Sequence, residues 1–194
     1  MCSILHLSGW HPSESEPIIA RTGNAIALGN NIMTISIGSR LPDVRLLRMH
    51  GDEIEEARLP DILKGRKVVL FAVPGAFTGT CTNAHVPSYI RSMDALREKG
   101  VQDVICLAVN DPFVVHAWGE ATGGREAGIV FLADPAGDFA KAVGKVFDHE
   151  PAGLYNRSSR YSALVEDGVV TRLFEETSPG VCEISAGGEM LRSL

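Results

Sequence analysis

The stretch Lys67–Lys99, KVVLFAVPGAFTGTCTNAHVPSYIRSMDALREK, decides how this chain is read. After Lys67 come six consecutive apolar residues, VVLFAV, without alternation, the pattern of a strand covered on both faces by other layers. Pro74-Gly75 ends that strand in a turn. Beyond Cys81 the apolar positions Val86, Ile90, Met93 and Leu96 keep helical spacing, and Lys99-Gly100 supplies a cation and a stop. The stretch is therefore a central strand, a tight turn and a helix, with Cys81 in the first helical turn. Pro87 inside that helix has no N–H to offer the Asn83 carbonyl, which predicts a bend in the axis.

Downstream, the strand-then-helix unit recurs. Val104–Val109 reads as a strand, Asn110-Asp111-Pro112 as a cap with proline at the first helical position, and Pro112–Ala121 as a helix burying Phe113, Val114, Ala117, Trp118 and Ala121. Ile129–Ala133 is a further strand, followed after Asp134-Pro135 by a short helix through Phe139, Ala142 and Val143 that stops at Gly144. His149–Ser159 reads as a loop, and Arg160–Val165 with Val169–Phe174 form a hairpin around Glu166-Asp167-Gly168. Ser185 is placed to cap a last helix whose Met190, Leu191 and Leu194 share a face.

Upstream, Val44–Met49 and Glu53–Leu59 form a hairpin about His50-Gly51-Asp52, with the acidic second arm at a sheet edge, and Pro60–Gly65 makes a helical turn. Strands alternating with helices, closed by an antiparallel hairpin, define an α/β fold: a central mixed sheet flanked by helices, with an N-terminal hairpin. Residues 33–194 form this domain. Residues 1–32 hold no sustained period and read as a loose, disordered extension. With one arginine (Arg21) against Glu14 and Glu16, they fit neither a secretory signal nor a mitochondrial presequence, so a cytoplasmic location is expected and Met33 is an alternative translation start.

A formal charge of −6 without a basic cluster argues against a nucleic-acid partner, and the lack of a long apolar run argues against a membrane span. Cys2, Cys81, Cys106 and Cys182 are too few and scattered for a disulfide framework or a zinc spacing, which points to a reducing compartment with one or two working thiols. No metal or bound cofactor is expected.

Cys81 carries the chemistry. A helix N-terminus offers unpaired N–H groups and a positive dipole end, which favour a thiolate over a thiol. Thr78, one turn earlier, can meet the sulfur or a substrate oxygen, while Pro74 and Phe77 can wall the site from water. His85 follows Cys81 by four residues on one helix face, open to reading as a base in a Cys-His hydrolase or as a hydrogen-bonding structural histidine.

Pro74-Gly75-Ala76-Phe77-Thr78-Gly79-Thr80-Cys81 resembles the PxxxTxxC signature of peroxiredoxins, in the form typical of the type II, peroxiredoxin-V-like subgroup. His85-Val86-Pro87, Val109-Asn110-Asp111-Pro112-Phe113 with Trp118, and Arg160-Tyr161-Ser162 with Asp167-Gly168 resemble later blocks of the same family. The resemblance implies a thioredoxin-like fold and a peroxidase for hydrogen peroxide and small alkyl hydroperoxides, in which Cys81 cycles through a sulfenic acid. It also implies that Arg160 stabilises the thiolate and holds the peroxide, that Thr78 hydrogen-bonds the peroxide, and that Pro74 shields the sulfenate. The reductant would be an external thiol such as glutathione with glutaredoxin, or thioredoxin, and the protein a homodimer. Gly79 departs from the family, where proline is usual, and loosens the turn. Cys106 and Cys182 are candidate resolving thiols by their places relative to plant and animal members; each is also open to reading as a packing cysteine. A redox-sensing or thiol-disulfide exchange protein is the alternative function, weakened by the absence of a CxxC motif.

Overall fold

The computed structural model describes residues 34–194. The readings of a loose extension over 1–32 and of a start at Met33 lie outside the described residues. Strand β3 (Lys67–Val73) is central for the reason its sequence gives: Val69, Phe71 and Val73 enter one apolar core, and Val68, Leu70 and Ala72 enter another on the opposite face. Around it stand β1 (Leu46–His50), β2 (Glu53–Ala57), β4 (Asp103–Ala108), β5 (Ile129–Ala133), β8 (Tyr161–Glu166) and β9 (Val169–Glu175), in the order β2-β1-β5-β4-β3-β8-β9. β3, β4 and β5 run parallel, whereas β8 pairs antiparallel with β3 along Lys67↔Glu166 to Ala72↔Tyr161. The N-terminal hairpin is present, its acidic arm β2 at the edge, and β1 meets β5 through the single pair Leu47↔Ala133.

Helices cover both faces. α2 (Val86–Glu98) and α3 (Pro112–Ala121) connect the parallel strands and share one core, to which α5 (Gly187–Arg192) adds Met190. α1 (Leu59–Leu63) and the Phe139 helix α4 (Asp138–Ala142) lie over the other. These elements and their order give the expected mixed sheet of a thioredoxin-like fold.

Local details differ from the sequence expectations, each for a physical reason. Cys81–His85 winds as a π-helix, in which the Val86 N–H reaches the Cys81 carbonyl. Pro87 then falls at the second position of α2, directly after the change from π to α winding. On α3 the buried residues are Pro112, Val115, Trp118 and Gly119, whereas Phe113 is 58% exposed and Ala117 and Ala121 face solvent. Gly119 explains the rotation: a Cβ there would lie 2.9 Å from the Phe131 ring and from Arg125, so the helix meets β5 closely through its glycine. Part of the segment read as a loop is a ribbon, β6 (Val146–His149) against β7 (Leu154–Ser158). Ser185 does not cap α5; Ala186 occupies the N-cap without a side-chain bond.

α5 docks on α2 through Gly187, where a Cβ would stand 2.7 Å from the Ser88 carbonyl oxygen and 3.0 Å from the Tyr89 Cα. Neither contact is the end of a flexible side chain, so Gly187→Ala is expected to destabilise the fold by about 1–3 kcal/mol. A thermal midpoint several degrees lower by circular dichroism checks it.

Candidate functional site

The turn after β3 is built to hold a fixed shape. Phe77 adopts a left-handed φ of 59°, a strained choice for an aromatic residue, and neighbouring bonds hold it there. Asn110 at the end of β4 accepts the Ala76 N–H on its side-chain oxygen at 3.0 Å, and Thr78 donates its hydroxyl to the Gly75 carbonyl at 2.8 Å. Arg157 from β7 lies where a Gly75 side chain would be, 3.0 Å from that Cβ position, and donates to the Val109 carbonyl at 2.8 Å. Gly79, by contrast, stands in open space, so nothing in the packing requires a glycine there.

Cys81 opens the π-helical turn and is fully buried. Trp118 on α3 donates its indole N–H to the Thr82 hydroxyl at 3.0 Å, tying that turn to the core. Arg160, immediately before β8 and 2% exposed, brings its Nη2 to 3.3 Å from the Cys81 sulfur and donates with the same nitrogen to the Pro179 carbonyl at 2.9 Å. A cationic donor aimed at a buried sulfur stabilises negative charge there. The antiparallel pairing of β8 with β3 joins these residues, 79 positions apart in the chain.

His85, also buried, lies 2.9 Å through Nδ1 from Arg160 Nη1 and 3.1 Å through Nε2 from the Ser185 carbonyl. Arginine can only donate, so Nδ1 is the acceptor and the Nε2–H donates to Ser185. Burial first, and the Arg160 cation second, push the imidazole down to about 3 from its ordinary 6.5. The ring is neutral with its acceptor nitrogen occupied by arginine, which removes the reading of His85 as a base for Cys81.

A cleft of about 230 Å³ reaches this buried centre, walled by Pro74, Thr78, Thr80, Leu154, Arg160 and Pro179. Cys106 is fully buried on β4, its thiol pushed well up by burial and then by the neighbouring Cys81. Cys182 is half-buried on the loop after β9, its thiol raised by burial against the opposing pull of Arg160.

Three site features were not legible beforehand. Glu176 accepts the Glu183 N–H, the Ser185 N–H and the Ser185 hydroxyl on one carboxylate oxygen, and so shapes the loop that carries Pro179 and Cys182. Tyr89, stacked on Phe71 at 4.2 Å, donates to the Ser185 carbonyl at 3.0 Å. Asn110 clasps the turn, while Asp111 alone caps α3 by accepting the Val114 N–H. Only Asn110 gave a signal, as a polar residue between a strand and its cap.

A sequence profile of the Redoxin family matches residues 36–191. Over 167 residues the chain is 40% identical to the chloroplastic peroxiredoxin-2E-2 of Oryza sativa subsp. japonica, covering 84% of this chain and 74% of that protein. Reduced Prx3 from Vibrio vulnificus in complex with H2O2 superposes with a TM-score of 0.76 at 40% identity, covering 82% of this chain and 99% of that one. Peroxiredoxin 5 from Alvinella pompejana gives a TM-score of 0.71 at 34% identity, covering 82% and 97%. A thioredoxin-like sheet that carries an arginine-paired cysteine at a helix start defines a class of thiol-based redox enzymes. Within it, the chain belongs to the peroxiredoxin family, whose members are thiol-dependent peroxidases.

The buried neutral histidine makes stability depend on pH. Between about pH 3 and 6.5 the unfolded chain binds a proton at His85 that the folded chain does not, so stability rises with pH across that window and is lost as pH falls through it. From pH 7 to pH 5 this contributes a loss of about 2 kcal/mol, at roughly 1.4 kcal/mol per pH unit. Urea unfolding at both pH values is expected to show that much larger a loss in the native protein than in His85→Asn.

Proposed function

We propose that Cys81 is the peroxidatic residue of a peroxidase acting on hydrogen peroxide and small alkyl hydroperoxides. The observation that carries this is the 3.3 Å contact from Arg160 Nη2 to a sulfur that is buried at the start of a helix. The thiolate attacks one peroxide oxygen, the O–O bond breaks, and its electron pair leaves with the other oxygen, which takes a proton to become water or an alcohol. Cys81 is left as a sulfenic acid. Arg160 follows the charge as it moves from sulfur to the departing oxygen. Thr78 spends its proton on Gly75, so its lone pairs are free to accept a peroxide O–H. Pro74, buried beside the cleft, keeps water from the sulfenate.

An external thiol, from glutathione with glutaredoxin or from thioredoxin, condenses with the sulfenic acid to a mixed disulfide and water, and a second thiol frees Cys81. Where an internal disulfide forms, Cys182 is the partner: it sits on a loop outside the sheet, whereas Cys106 is locked in β4 between two paired strands. The exposed aromatic side chains Phe77 and Phe113, each 58% exposed, support a homodimer in which a second copy covers them.

Cys81→Ser is expected to abolish peroxide consumption while leaving the circular dichroism spectrum unchanged; retained turnover would refute the assignment. Peptide mass mapping after one equivalent of peroxide is expected to find Cys81 linked to Cys182 or to added thiol, and never to Cys106. Sedimentation velocity is expected to give a dimer that Phe113→Glu converts to a monomer.

A further inference from the structure

Arg160 is a buried cation held in an unusual way. Arg48 and Arg66 pair with the carboxylates of Glu55 and Asp103, while the half-buried Arg157 donates to the Val109 carbonyl. Among the described residues, the acceptors of Arg160 are the His85 Nδ1, the Pro179 carbonyl oxygen and the Cys81 sulfur, and its Nε has no partner. The carboxylate of Glu176 lines a cleft with Arg160, but its Oε1 is occupied by three donors from Glu183 and Ser185.

A carboxylate at the position of Nδ1 would orient the guanidinium equally well through a charge-assisted bond. It would also offset the positive charge, so that the sulfur faced an ion pair instead of a cation. A neutral acceptor orients without offsetting. His85 can be that acceptor only while it is uncharged, and its surroundings enforce this: it is fully buried, it packs against the Phe71 ring at 4.8 Å and the Tyr89 ring at 5.6 Å, and its second nitrogen is occupied by the Ser185 carbonyl. The groups around it that carry or can take charge are Arg160 on Nδ1, the Tyr89 phenol packed against the ring, and the Glu176 carboxylate beyond the Ser185 hydroxyl.

We propose that His85 is a positioning residue that holds Arg160 through a neutral acceptor, leaving Cys81 as the one anionic partner of this buried cation among the described residues. This rests on the assignment of Cys81 as nucleophile. It differs from a purely structural role, in which His85 would matter for pinning the loop after β9 through Ser185.

Three substitutions separate the two roles. In His85→Asn the side-chain oxygen falls near the place of Nδ1 and can still accept from Arg160. In His85→Gln the amide reaches the place of Nε2, so the Ser185 bond survives and the Arg160 acceptor is lost. His85→Asp has the shape of the asparagine variant and adds only a negative charge. Carbamidomethylation of Cys81 by iodoacetamide at pH 7, followed by peptide mass mapping, reads the sulfur without any peroxide, so it stays informative even if the peroxidase reading fails. kcat/KM for hydrogen peroxide is measured alongside, and thermal midpoints report folding.

The expected result is that His85→Asn reacts within about threefold of the native rate, while His85→Gln and His85→Asp fall at least tenfold in both assays. Native-like rates in His85→Gln with slow His85→Asn would assign His85 to the loop and overturn the proposal. Equal rates in the asparagine and aspartate variants would show that the neutrality of the acceptor is immaterial, with the same consequence. Should the aspartate variant fail to fold, the asparagine and glutamine pair decides.

Discussion

A guanidinium removed from water must be given acceptors, and almost everything around Cys81 is arranged by that requirement. Arg160 is 2% exposed and has three acceptors from three parts of the chain: the sulfur at the end of the β3 turn, the imidazole one helical turn later, and a carbonyl in the loop after β9. The desolvation of such a charge is worth several kcal/mol, so each acceptor is held by further bonds of its own. Glu176 and Tyr89 fix the loop, Ser185 fixes the imidazole, and β8 carries the arginine into place alongside β3.

The sulfur is held by a second set of constraints. A π-helical turn widens the backbone at Cys81–His85, and the Thr82 hydroxyl anchors that turn to Trp118. Before it, Phe77 sits in a left-handed conformation that Asn110 and Arg157 keep in place. Strain next to the sulfur is tolerated where the surrounding bonds over-determine it, and here they come from the Thr78 hydroxyl within the turn and from Asn110 and Arg157 outside it.

The mistaken sequence readings share a cause. The face that α3 buries depends on how closely a helix can approach β5, and Gly119 permits an approach that no count of apolar residues reveals. Phe113 is large and apolar, yet it is 58% exposed. Serine before a helix is commonly a cap, but the Ser185 hydroxyl is claimed by Glu176, nine residues earlier at the start of the same loop. The ribbon of β6 and β7 has too little alternation and too many turn residues to be distinguished from a loop until its strands face each other.

The chain's own order of residues determined the layers, the central place of β3, the strand order of its hairpins and the position of Cys81 at a helix start, because those follow from local period, turn chemistry and the lack of polar residues in VVLFAV. It also carried the family signature, which named Arg160 without giving a reason for its distance from Cys81. Tertiary structure alone decided what the cysteine meets. Register between β3 and β8 sets which side chain arrives over the sulfur, and the burial that follows makes His85 a neutral acceptor instead of a base. Those outcomes depend on dielectric and on contacts between residues 75 and more positions apart, which sequence pattern does not encode.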